Sequence, residues 1–138
     1  MDDMMTKPTD DEIKAGAAQA GIDSFMATFG RFPDQFQLLH KHAPGAFAGY
    51  GLMRDFVMQD RPKGALDLKT KELVFALLDT LHGDQRGATN HALAAVKLGL
   101  TPAELAEGLV QVIMVGGIGT WNLVGQHVLR ACTEPPAE

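Results

Sequence analysis

The sequence predicts an all-α bundle of six or seven helices. Three observations carry that reading. β-Branched residues are sparse, strand-like alternation is absent, and glycine and proline fall between periodic segments rather than at regular strand spacing. At 138 residues the chain reads as one domain, 1–138, behind a tail over 1–8. It is long enough to bury about two-thirds of its unfolded surface.

Thr9-Asp10-Asp11-Glu12 has the form of a capping box and opens a helix over 9–30, which Gly30 closes. Pro33 opens a second helix over 33–41, and Pro44 a third over 45–59. Each proline suits a first helical turn, where its missing N–H costs nothing. Asp60 to Leu66, with Arg61-Pro62-Lys63-Gly64 inside it, reads as a surface loop. Asp67 caps a fourth helix over 68–82, stopped by Gly83, and Asp84 caps a fifth over 84–98, stopped by Gly99. Thr101-Pro102-Ala103-Glu104 is the strongest local signal: an N-cap, a proline at N1 and a glutamate at N3. It starts a sixth helix over 102–115. Gly116-Gly117-Ile118-Gly119 then bends or breaks the chain before a last helix over 118–131. No internal repeat or low-complexity segment interrupts this order.

Composition excludes several function classes. A net charge of -5, with scattered lysines and arginines, argues against nucleic acid as a partner, because phosphate binding needs a basic stripe. The longest apolar stretch, Leu109 to Gly119, contains Gln111 and three glycines and is too short to span a bilayer. Met1 to Asp11 is acidic and polar, unlike a secretory leader, so the expected location is cytoplasmic. The single cysteine, Cys132, leaves no internal disulfide and no CxxC pair. Nothing in Arg130-Ala131-Cys132-Thr133 supplies a partner base, and the thiol reads as a spectator near the terminus.

The chemistry-bearing residues gather between Glu72 and His91. A helix advances about 100° per residue, so Glu72 and Asp79 share one stripe of the fourth helix. The rest of that helix is apolar almost all round, as in a buried helix. An acid in its first turn is either a dipole-stabilised surface group or a buried carboxyl suited to proton transfer. On the fifth helix Asp84, Gly87, Ala88, His91, Ala94, Ala95 and Leu98 make one face. His91 thus projects from a strip of small residues, as a satisfied core histidine or as a group beside a hollow. Asp84 also has the plain role of N-cap.

Other candidates carry less. His40 and His42 do not share a helix face, and no metal-ligand spacing such as HExxH occurs, so no metal is expected. Ser24 lacks a nucleophile-elbow setting. The glycines at 116–119 follow no strand and precede no Lys-Ser/Thr pair, which excludes a phosphate loop. Phe47, Tyr50, Met53 and Phe56 recur at helical spacing as core or pocket wall. No cofactor is expected.

With these residues laid out, the chain resembles the carboxymuconolactone decarboxylase and AhpD-like alkylhydroperoxidase superfamily over about residues 40–128. The resemblance rests on Leu66-Asp67-Leu68-Lys69-Thr70-Lys71-Glu72-Leu73, on the run from His91 through Gly99-Leu100-Thr101-Pro102-Ala103-Glu104-Leu105, and on Val115-Gly116-Gly117-Ile118-Gly119. In the thiol branch of that family the spacing puts Glu72 on a glutamate, Asp84 and Gly87 on the two cysteines of a CxxC, and His91 on a histidine. The proton-relay positions match and the redox positions do not. A thiol peroxidase needs an attacking thiolate and a resolving thiol, and neither Asp84 nor Gly87 supplies one.

The resemblance implies an AhpD-like bundle that forms a homo-trimer or hexamer and acts on a small, carboxylated organic molecule. In it His91 would be the general acid/base, Glu72 its partner, Asp84 a polar group lining the site, and Arg86 a candidate grip on a substrate carboxylate. Arg86 lies about 140° round the helix from His91. The alternatives are a residual peroxidase and a non-catalytic oligomeric binding protein on the same fold.

Overall fold

The computed structural model describes residues 6–134. All regular structure among them is helical. The chain falls into two compact units, Met1–Gln59 and Asp60–Glu138.

The first unit holds α1 (Asp10–Phe29), α2 (Asp34–His42) and α3 (Pro44–Val57). The capping box forms as the sequence predicts: the Thr9 hydroxyl accepts from the Glu12 N–H at 3.2 Å, and the Glu12 carboxylate accepts from the Thr9 N–H at 2.8 Å. Gly30 ends α1 in the left-handed region, at φ 71°. α1 and α3 cross at two glycines. A Cβ on Gly21 would lie 2.6 Å from the Gly51 Cα, and one on Gly51 would lie 2.8 Å from the Ala17 carbonyl oxygen. That close approach lets Phe25 and Phe47 bury fully, with Phe32, Phe36 and Tyr50 around them. The Arg54 guanidinium stacks over the Phe25 ring at 4.0 Å, a cation–π contact in a buried setting.

Two expectations change here. Pro44 sits at the first position of α3 as predicted, but Pro33 is the N-cap of α2, with an extended ψ of 146°. Proline fixes φ alone, and a φ near -64° serves both positions. Along α3, Phe47 is core and Tyr50 packs beside it, whereas Met53 and Phe56 are exposed.

The second unit holds α4 (Leu68–His82), α5 (Gln85–Lys97), α6 (Pro102–Gly116) and a π-helical turn (Trp121–Gly125) that runs into α7 (Gln126–Thr133). Asp67, Asp84 and Thr101 cap their helices by accepting from Thr70, Gly87 and Glu104 backbone N–H groups. Gly83 closes α4 at φ 89°. The core is built on small residues of α5, Ala88, Ala92 and Ala95, which let α4 approach closely, with Leu105, Leu109, Val124 and Val128 completing it.

The fourth helix is not buried all round. Val74, Leu78 and Leu81 lie exposed along one stripe of it. The last helix also departs from a regular 118–131 segment, because five of its residues take the π form. A π turn accommodates one extra residue, and a helix this short has too little periodicity to reveal one. Among the described residues no helix is long and apolar enough to cross a membrane.

Candidate functional site

Glu72, Phe75 and Asp79 stand three and then four residues apart, which stacks them on one face of α4. That face meets His91 of α5. The Glu72 Oε2 lies 2.7 Å from His91 Nδ1. The contact uses Nδ1 and places Nε2 on the opposite side of the ring. Phe75 covers the ring, its centroid 4.9 Å away and its plane tilted by 26°. Asp79 Oδ2 lies 3.9 Å from Nε2, beyond direct hydrogen-bond length.

Burial grades sharply across this constellation. The Glu72 side chain is 1% exposed, that of His91 14% and that of Asp79 30%. The carboxyl at Nδ1 is thus buried, and Asp79 near Nε2 is the most exposed of the three side chains. Glu72 Oε1 is buried with no hydrogen-bond partner among the described residues, which leaves the Nδ1 contact as what compensates the carboxyl for its burial. Asp79 holds its proton above the usual carboxylate range. Loss of water around it is the main cause, the Asp84 carboxylate adds to it, and His91 and His82 pull the other way.

Asp84 does two things. Its Oδ1 accepts from the Gly87 N–H at 2.9 Å, as an N-cap does. Its Oδ2 and the Asp79 Oδ2 both come within 2.6 Å of where a Gly87 Cβ would be. Both carboxylates thus border the space that a side chain at position 87 would fill. Arg86, in the first turn of α5, is exposed and directed away from the His91 face.

Of the residues expected from sequence, the structure brings Glu72 and His91 into contact and sets Asp84 beside Asp79, but leaves Arg86 on another side of α5. It adds Phe75 and Asp79. The stripe shared by Glu72 and Asp79 was visible in the spacing, but which neighbouring helix would face it was not. Cys132 packs half-buried against the core of the second unit, and burial pushes its thiol pKa up, away from thiolate reactivity. His40 packs against Phe47 in the first unit, at 4.9 Å between ring centroids. Among the described residues no group of three or more His, Cys, Asp or Glu side chains could hold a metal ion.

The family model for the carboxymuconolactone decarboxylase family matches residues 44–125. The chain is also similar to a crystal structure from Burkholderia xenovorans LB400, a candidate carboxymuconolactone decarboxylase, at 29% identity and a TM-score of 0.79. That match covers 88% of this chain and 92% of the other. No curated protein matches the sequence. A family match over more than half of the chain, on the helices that carry Glu72 and His91, makes the protein a member of the carboxymuconolactone decarboxylase family.

Proposed function

We propose that the protein performs acid–base chemistry of the lactone-decarboxylation type on a small carboxylated molecule, with His91 as general acid/base. The observation that carries this reading is the 2.7 Å contact of His91 Nδ1 with the buried Glu72. Loss of carbon dioxide needs no nucleophile. The carbon–carboxyl bond breaks, its electron pair passes into the conjugated lactone carbonyl as an enolate, and a proton is added to carbon. Glu72 positions the ring and stabilises the imidazolium form that donates that proton. Solvent then returns a proton to His91.

Asp84 and Asp79 border the same space beside Gly87. Arg86 is a candidate to attract the substrate carboxylate from outside the His91 face. A thiol peroxidase is disfavoured, because Asp84 and Gly87 occupy the positions a reactive pair would need. The reading includes a cytoplasmic homo-trimer or hexamer, in which the exposed Val74, Leu78 and Leu81 stripe would be covered by another subunit.

The test is carbon dioxide release from carboxymuconolactone by the wild type and by His91→Gln, which keeps an amide donor towards Glu72. Release should fall by about 100-fold or more, the usual scale for losing a general acid. Wild-type release by the His91→Gln protein, or none by the wild type, overturns the reading.

A further inference from the structure

We propose that Phe75 is a positioning residue: its ring sets the plane of the His91 imidazole, and Glu72 then selects which edge of that ring it holds. The inference rests on the proposed role of His91 and names a residue that acts through it.

A histidine ring is loosely held by its own side chain. Its terminal torsion has a broad, roughly two-fold profile, so the ring can tilt or turn over about the Cβ–Cγ bond. On α5 the residues three and four places from His91 are Gly87, Ala88, Ala94 and Ala95, too short to brace it. α4 supplies two braces of different kinds. The Phe75 ring is stacked on the imidazole, with centroids 4.9 Å apart and 26° between the planes. A turn out of that plane would push an edge of the imidazole towards the phenyl face. Stacking alone does not choose the edge, because a ring turned over by a half-turn keeps the same plane. The 2.7 Å contact of Nδ1 with Glu72 Oε2 makes that choice, since the turned-over ring would present a carbon there.

Both braces come from one rigid element. Glu72 and Phe75 stand three residues apart on α4, so helix geometry fixes their spacing independently of His91. The buried Ala88, Ala92 and Ala95 of α5 let α4 come close enough for both contacts. Under the proposed function, a ring held in this way keeps its nitrogens aimed while a proton comes and goes. Phe75 itself makes and breaks no bond.

The experiment has two readouts, with folding of each variant checked by thermal melting. One needs no substrate: the proton between His91 and Glu72 should give a far-downfield proton NMR resonance that exchanges slowly with water, identified by its loss in His91→Gln. The other is kcat and KM for carbon dioxide release from carboxymuconolactone. Phe75→Leu keeps apolar bulk without a flat face, Phe75→Met replaces it if that protein melts early, and Phe75→Tyr keeps the face. Without the face the resonance should broaden or vanish, and kcat should fall about 10- to 100-fold at nearly unchanged KM, the scale for a misplaced reacting group. Phe75→Tyr should retain both. A retained resonance or a wild-type kcat in Phe75→Leu, or a Phe75→Tyr as impaired as Phe75→Leu, overturns the proposal. If the wild type releases no carbon dioxide, or His91→Gln keeps full activity, the proposed function falls and the resonance decides alone. Its loss in Phe75→Leu then supports the positioning role, and its survival there removes it.

Discussion

Glu72 is nearly inaccessible to water, and its Nδ1 partner is what makes that burial tolerable. A substitution that removes His91 therefore does more than remove a proton carrier. His91→Ala should cost about 1–3 kcal/mol of unfolding free energy, the range for leaving a buried polar group without its hydrogen-bond partner. Denaturant unfolding of the wild type, His91→Ala and His91→Gln checks this. His91→Gln should recover part of the loss, because its amide can still donate to the carboxylate, whereas equal stability of all three would show that Glu72 needs no partner. The distinction matters for function, since an alanine variant that unfolds says nothing about catalysis. At this scale much was legible beforehand: Glu72, His91 and Asp84 carry recognisable chemistry. Asp79 was visible only as a companion of Glu72 on a helix stripe. Its proximity to Nε2 depends on how α5 is rotated against α4, which no local pattern encodes.

Elements were legible where their signals were local. Thr9 with Glu12 and Thr101 with Glu104 form both halves of a capping box, and Asp67 and Asp84 cap as the sequence suggested. Pro33 and the π turn at Trp121–Gly125 were not, since the former suits two positions equally and the latter leaves no periodic trace. The exposed stripe of α4 escaped for a different reason. Composition reports that a helix is apolar, but not which side its neighbours cover. The glycine crossing of α1 and α3 gives a sharp test of packing. In Gly51→Ala the new methyl would meet the Ala17 carbonyl, part of the backbone, which cannot swing aside as a side chain would. The substitution should destabilise the first unit by about 1–3 kcal/mol, the usual penalty of overpacking. Gly16→Ala, where nothing lies within 4 Å, should cost little in the same melting assay. Equal melting temperatures would mean that the crossing relaxes freely.

For the whole molecule, family membership constrains the fold more tightly than the reaction. The family match includes the helices that bring Glu72 to His91, yet the positions that hold a thiol pair in the redox branch are filled by an N-cap aspartate and a glycine. At the site itself a buried carboxyl lies at one imidazole nitrogen, and a carboxyl whose pKa burial raises lies near the other. Under the proposed function, such a site would deliver a proton from one fixed direction. The most direct measurement is decarboxylation of carboxymuconolactone in deuterium oxide, with the product analysed for deuterium at the newly protonated carbon. Delivery by His91 predicts deuterium on one face of that carbon. Deuterium divided equally between the two faces would mean that solvent supplies the proton, and would contradict a general acid at His91.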